Sequence, residues 1–306
     1  MRIQIMMKIC NYKSLPLWGG LVGLLLIGCT EPFDIKTDDS PPVIVIYGEL
    51  TDEFKHQEVM ISRSSPYFDD APNVGISGAE VTIQSSNNEI YHLLENAGVQ
   101  GLYYSRDKFS ASVGVNYSLS VEVDFDKDGI LDKYEAETTI LPVVIPDSLT
   151  LEPIEMFGHK NYFLYMHFQA PPEENYYLFK INYNDSLVTK KLSRYLISDD
   201  ALFRGQYAKG NLYRFDDISN WETDSEENRK RSIYLQPGDK IEARISLISK
   251  GYFDFIDQCQ REQNGENPMF GGPASNIVTN ISNGGVGYFS GYCTSRTSII
   301  FEPLVF

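Results

Sequence analysis

Residues 124–135 read Asp-Phe-Asp-Lys-Asp-Gly-Ile-Leu-Asp-Lys-Tyr-Glu, which puts carboxylates at positions 1, 3, 5, 9 and 12 of a twelve-residue loop. That is the spacing of a calcium loop: Asp124, Asp126 and Asp128 converge on one cation, Ile130 adds its backbone carbonyl, and Asp132 and Glu135 complete the set. Gly129 at position 6 permits the sharp turn, and the apolar position 8 is Leu131. A hard cation takes six to eight oxygens at about 2.3 to 2.6 Å, which alternate carboxylates on a curling loop supply. The flanks depart from the helical pattern, because 117–123 and 134–140 read as strands, so the loop would tip a β-hairpin. A second reading stays open here, an acidic solvated turn on Asp128-Gly129, since Asp-Gly is a favoured hairpin turn. Under either reading the loop is structural and not catalytic, and its affinity for Ca2+ is no tighter than the ~10⁻⁴ to 10⁻³ M of extracellular modules.

No other constellation reaches that specificity. The doublets Asp69-Asp70, Asp199-Asp200 and Asp216-Asp217 are expected to be solvated, since adjacent loop carboxylates splay into water whereas catalytic pairs face each other across a substrate. His56, His92, His159 and His167 are scattered, with no H-E-x-x-H and no G-x-S-x-G, so zinc or triad catalysis has no basis here. Gly284, Gly285 and Gly287 lack the Lys-Ser/Thr that follows a phosphate loop. The 20 tyrosines read as strand residues with one face buried and the hydroxyl wet, although rings of this kind also stack on sugars or line interfaces.

The N-terminus carries its own chemistry. Arg2, Lys8 and Lys13 precede the apolar run 17–27, and Leu26-Ile27-Gly28-Cys29 matches a bacterial lipobox, whose cysteine thiol accepts diacylglycerol. The eleven apolar residues are too few to span a bilayer, which takes roughly 20. The sequence therefore predicts a lipoprotein signal peptide over 1–28, a mature chain lipidated at Cys29 and a short polar tether over 29–41. Acyl chains on one cysteine hold a protein to the lipid bilayer without a spanning helix, each buried CH₂ adding about 0.8 kcal/mol. Export also permits a disulfide. With Cys10 in the signal and Cys29 acylated, Cys259 and Cys293 are the pair left, closing about 35 residues and contributing roughly 3 to 4 kcal/mol if bonded. The alternative is two buried thiols.

Composition narrows the partners. The formal charge is −16, and removal of 1–28 takes three cations and no acid, leaving −19. So acidic a body has no footprint for nucleic acid, which needs a basic face.

The elements that must hold these residues are predominantly β. Short alternating segments at 43–50, 58–62, 79–84, 90–94, 102–105, 117–123 and 134–140 are separated by Gly, Pro, Asn, Asp and Ser clusters, the pattern of a sandwich over 42–141. Pro142 and Pro146 mark a boundary. Over 142–306 the segments 162–169, 176–183, 241–248 and 298–301 predict a second β-rich domain, with 199–231 loop-rich and 271–287 a turn-rich connection. Residues 184–232 carry little that can be read. One helix stands out, with Tyr252, Phe255, Ile256 and Cys259 at i, i+3, i+4 and i+7, Ser249 as N-cap and Asn264-Gly265 as stop. No internal repeat is visible.

Taken in order, the lipobox, Val43-Ile-Val-Ile-Tyr-Gly48-Glu-Leu-Thr-Asp52, Gly78-Ala-Glu-Val-Thr-Ile83, Gly101-Leu-Tyr103 and Gly114-Val-Asn-Tyr117-Ser-Leu119-Ser-Val121 resemble a family of Bacteroidota-type outer-membrane lipoproteins carrying a domain of unknown function. The resemblance runs on through Asn175-Tyr-Tyr-Leu-Phe179, Gly238-Asp-Lys-Ile-Glu242 and Gly287-Tyr-Phe289. It implies an N-terminal sandwich of the immunoglobulin or carboxypeptidase-regulatory type, a second β-rich domain with one or a few helices, and association with TonB-dependent outer-membrane receptors. It carries over no catalytic residue. The loop at 124–135 elaborates a hairpin that is shorter in the usual pattern. The expected function is a lipid-anchored, non-catalytic binding or accessory module on the outer membrane, facing either the periplasm or the exterior. The alternatives are a hydrolase of extracellular polymers or a purely structural envelope protein.

Overall fold

The computed structural model of the chain describes residues 42–64, 73–156, 158–221, 224–263 and 277–302. The signal segment, Cys29, the tether, Asp69-Asp70 and Asn264-Gly265 lie outside the described residues. Period-2 alternation becomes strand throughout the first part: β1 (Ile44–Thr51), β2 (Glu58–Arg63), β3 (Val74–Gly75), β4 (Glu80–Ser85), β5 (Ile90–Glu95), β6 (Leu102–Ser105), β7 (Asn116–Val123) and β8 (Asp132–Thr139). In β1, Ile44, Ile46 and Leu50 are buried while Tyr47 and Glu49 face the other way, and in β7 the inward set is Tyr117, Leu119, Val121 and Val123. These side chains share one core with Ile61, Ile83 and Tyr103, each fully buried aliphatic residue contributing roughly 1.5 to 3 kcal/mol.

The following strands are β9 (Pro146–Met156), β10 (His159–Gln169), β11 (Tyr176–Tyr183), β12 (Ser186–Leu187), β13 (Leu196–Asp199), β14 (Tyr207–Asp217), β15 (Tyr234–Leu235), β16 (Lys240–Ile248), β17 (Val286–Tyr292) and β18 (Ser295–Ile300), with helices α1 (Glu226–Arg231) and α2 (Lys250–Gln263). They build a second sheet of order β15-β14-β10-β9 and a third of order β12-β11-β16-β18, in which β13 also pairs with β11. Leu164, Met166 and Phe168 of β10 pack against Tyr177, Phe179 and Ile181 of β11 and Ile241, Ala243 and Ile245 of β16, so these two sheets enclose one core. Pro146 and Pro153 lie on β9, at the end of its sheet, the position where a strand tolerates proline.

The expected boundary at 141/142 is where the chain passes from the first sheet to the others, but β17 then returns to the first. It pairs in parallel with β1, from Val45 opposite Val286 to Thr51 opposite Tyr292, completing the order β17-β1-β2-β6-β5-β4-β7-β8 with β3 on β2. The end strands β17 and β8 also meet: the Gly291 N–H donates to Thr138 Oγ1 at 2.7 Å, and Leu141 bridges Tyr292. Ser40–Phe306 form one compact unit. The expectation of a turn-rich stretch over 271–287 failed at its end because glycine hides this strand. Gly287 has φ +110°, and a Cβ there would stand 2.1 Å from the Ile46 carbonyl oxygen, so the close parallel approach admits nothing larger.

The other correction falls in 199–231, which contains the eleven-residue β14 at the centre of the second sheet as well as α1. Its inward positions include Ala208 and Phe215, with exposed Lys209, Asn211 and Arg214 and only half-buried Leu212 and Tyr213 between them, and a register shift opposite Leu164/Tyr165 breaks the alternation. The helix, by contrast, forms as read. The Ser249 Oγ accepts from the Tyr252 N–H at 3.2 Å, and Tyr252, Phe255 and Ile256 are buried. That face packs on Leu178 and Ile248 of the third sheet and on Tyr288 and Tyr292 of β17, so α2 fills the joint between the third sheet and the outer face of the first. The pairing expected of the cysteines is not made: both thiols are free. Cys259, on α2, packs half-buried into the joint, whereas Cys293 belongs to the core of the first sheet, and burial pushes both thiols up to about 11.

Candidate functional sites

β7 ends at Val123 and β8 begins at Asp132, and between them Lys127 and Gly129 turn the chain through the left-handed region at φ 64° and 88°. The aspartates organise this turn. Asp126 Oδ1 accepts from the Asp128 N–H at 3.1 Å, Asp128 Oδ1 from the Ile130 N–H at 2.8 Å, and Asp124 Oδ2 from the Gly129 N–H at 3.1 Å. Oxygens of Asp124, Asp126 and Asp128 lie within 4.8 Å of one another, and Asp124 Oδ1 is buried without a hydrogen-bond partner. Three carboxylates this close repel each other. Two oxygens on one Ca2+ stand at most about 5 Å apart, twice the metal–oxygen distance, so the three fit a single cation.

The rest of the predicted ligand set is divided. Asp132 stays with the loop, its Oδ2 accepting from the Phe125 N–H at 3.2 Å, and Ile130 sits at the exposed tip. Glu135 does not join. It lies on β8 opposite Ser120, its carboxylate pairs with Lys133 Nζ at 2.6 Å, and its N–H donates to Ser282 Oγ. A helix would curl position 12 back to the loop, but a strand rising about 3.3 Å per residue carries it away.

Of the two doublets described, Asp199 is exposed as expected, but Asp200, Asp216 and Asp217 are buried. Asp200 is fully enclosed, accepting from the Asn175 N–H at 2.9 Å and from Arg204 Nη2 at 2.8 Å. Asp217 caps a short 3-10 turn by accepting from the Ser219 N–H at 2.9 Å and its hydroxyl at 2.6 Å, and Asp216 is buried beside it. Both sites hold backbone in place. Burial raises the Asp217 pKa, but the hydrogen bonds from Ser219 and Tyr162 and the Lys160 charge together outweigh it and hold the group ionised below its usual range.

The most elaborate polar cluster lies where the sequence showed nothing. Glu49 on the outer face of β1 meets Lys180 of β11, whose Nζ donates to Oε1 at 3.1 Å and Oε2 at 2.9 Å. Tyr252 of α2 donates its hydroxyl to Glu49 Oε1 at 2.7 Å, and Tyr47 donates to the same oxygen at 3.1 Å. Lys180 also donates to the Tyr292 hydroxyl at 2.9 Å and lies 4.3 Å above the Tyr195 ring. The side chains of the pair are only 20% and 14% exposed, so the cluster is nearly sealed. Burial pushes the Glu49 pKa up, but the Lys180 charge and the hydrogen bonds more than reverse it, so the carboxylate is ionised. Burial, then the Glu49 charge, lifts the phenols of Tyr47, Tyr252 and Tyr292 well above their ordinary value, keeping them neutral donors.

Around the cluster, Arg244 bridges Glu53 at 3.2 Å and Glu242 at 3.0 Å. A groove of about 300 Å³ opens beside it, lined by Glu49, Lys55, His56 and Glu58 among others, with Glu58 directly across from Glu49 in the β1–β2 register. Glu49 is fully engaged, as a structural counter-ion is and a proton donor is not. Lys180 was the available signal: it interrupts Tyr-Tyr-Leu-Phe-Lys-Ile, a strand apolar on both faces, where a cation requires a buried partner.

The family described as Domain of unknown function (DUF4249) matches residues 30–298. No curated protein matches the chain.

Proposed function

The chain belongs to this family, and from that premise we propose that it is a lipid-anchored, non-catalytic binding module of the bacterial outer membrane, accessory to a TonB-dependent transporter, with a calcium ion stiffening the β7–β8 hairpin. The order of parts carries the reading: a lipobox ending in Cys29, a polar tether and then a rigid β body. Among the described residues no helix is long and apolar enough to cross a membrane, so an acyl anchor would supply the attachment. The transporter as partner comes from the resemblance of the ordered sequence motifs. Asp124, Asp126 and Asp128 would hold the cation, with Asp132 and the Ile130 carbonyl next to them in the chain. The ion would neutralise their mutual repulsion and fix the turn.

The test is to express the full chain and a Cys29→Ala variant with radiolabelled palmitate, then crosslink intact cells and purify in mild detergent. Label on the wild type alone, together with a crosslinked β-barrel, is the expected result. Absence of label on the wild type would remove the anchor, and a labelled chain with no barrel partner would remove the accessory role.

A further inference from the structure

A cavity of about 660 Å³ opens between the second and third sheets, beside two strand edges. β13 pairs with β11 alone, and β14 pairs with β10 along its length but with β15 only at Asp216 and Asp217. Among the described residues, the outer edges of β13 and of β14 over 207–215 therefore have no strand partner. The cavity is lined by 196–198 and by 207–212, each run without a gap. Successive side chains of a strand point to opposite faces, so consecutive residues line one cavity only when the strand presents its edge. That edge carries the N–H and C=O groups that a further strand would use.

The floor is apolar, with Phe168, Phe179 and Ala208 buried there. At the rim, Leu202 is 92% exposed and Tyr207 60% exposed, large apolar surfaces next to open backbone. The charge pattern selects among occupants. The chain as a whole carries −16, yet among the described lining residues Lys209 alone is charged, and Glu152 Oε1 neutralises it at 2.6 Å. A charged ligand would find no counter-charge in this slot, and a compact apolar one would leave the edge groups unanswered. An extended, uncharged peptide meets both demands.

We propose that this slot is a β-augmentation site: an extended segment of another protein, uncharged and apolar at alternate positions, adds to the edge of β14 and sets its inward side chains on Phe168 and Phe179. The six edge residues 207–212 give a seat of about 20 Å at ~3.3 Å per residue. Backbone pairing supplies affinity and the cavity supplies selectivity for the alternate side chains. The inference goes beyond the proposed function, since it depends neither on the Cys29 anchor nor on the identity of a transporter.

Random twelve-residue peptides displayed on phage test it, selected on the full chain in detergent. Gly210→Phe is the blocking variant: Gly210 lines the slot, and a Cβ there meets no atom within 4 Å, so a side chain can start from this position without a backbone clash and is expected to occupy the slot. Selected peptides are expected to alternate apolar residues, to bind Gly210→Phe at least tenfold more weakly, and to lose binding when alternate peptide amides are N-methylated. Protection of amides within 207–212 from hydrogen exchange accompanies binding. The N-methylation readout needs no variant, so it stands even if Gly210→Phe misfolds. Failure to enrich any peptide, enrichment of peptides indifferent to Gly210→Phe, or binding that survives N-methylation would each overturn the proposal. So would a wild-type dimer that Gly210→Phe dissociates, since the slot would then belong to a second copy.

Discussion

The β7–β8 loop takes its carboxylates from one short run, 124–132, and holds them at the surface, whereas the Glu49–Lys180 pair joins residues 131 apart and covers them with tyrosines. Each concentrates charge, but to different ends. In the loop, like charges are brought together by covalent spacing and backbone hydrogen bonds, an arrangement that calls for something from solution. In the joint, opposite charges meet only because the first and third sheets face each other across α2, and donors within the chain satisfy the carboxylate. The difference separates a site that is finished by a ligand from one that is finished by folding.

Cutting the buried pair should produce the largest effect. Glu49→Gln or Lys180→Met is expected to lower stability by about 3 to 5 kcal/mol, because each leaves its partner desolvated and unpaired. Urea denaturation of the full chain measures this, and a loss under ~1 kcal/mol would put the pair on a par with surface bridges. Acid should erase the same difference. The folded-state pKa of Glu49 is depressed, so its contribution is complete above the unfolded value of about 4.3 and is lost as pH falls through the lower folded value. The gap between wild type and Glu49→Gln should therefore narrow below about pH 4; a constant gap would mean that the ionised carboxylate is not what stabilises the joint.

Calcium should act only on the loop, and more modestly. At 10 mM Ca2+ a site with an affinity of ~10⁻³ to 10⁻⁴ M stabilises by about 1.4 to 2.7 kcal/mol. Thermal melts with and without the ion should show that gain in the wild type and in Glu135→Ala, and lose it when Asp124, Asp126 and Asp128 are changed together to Ala. Loss in Glu135→Ala would place position 12 on the ion despite its seat on β8. The smallest expected effect is none: with Cys259 and Cys293 free, a reductant should leave the melting temperature unchanged. A drop would establish the disulfide that the sequence suggested.

What could be read beforehand follows the same division. The strands of the first sheet were visible because one face is apolar and the other wet, and α2 because its stripe and its Ser249 cap are local. β17 was not, since Gly287 and Gly291 stand where neighbouring atoms leave no room for a side chain, and glycine in a sequence signals a turn. β14 was hidden by polar residues and a bulge. The aspartates of the loop declared their spacing, but whether Glu135 returned to them depended on the strand that follows. Asp200 and Asp217 looked solvated because nothing local shows what will cover them. Glu49 on its own was an ordinary outward residue of an alternating strand.

The parallel pairing of β1 with β17 also sets a clock. Val45 and Val286 are partners across 241 positions of chain, so β1 waits for nearly the whole polypeptide before one of its two edges is covered. At 5 to 20 residues per second, synthesis of that interval lasts roughly 12 to 48 s. Throughout it the nascent chain offers an uncovered edge that a neighbouring copy could pair with as readily as β17. Completion of the first sheet thus waits for β17, a strand made late in the chain, and a chaperone that holds the emerging N-terminal half is expected to improve yield more than one that acts after release.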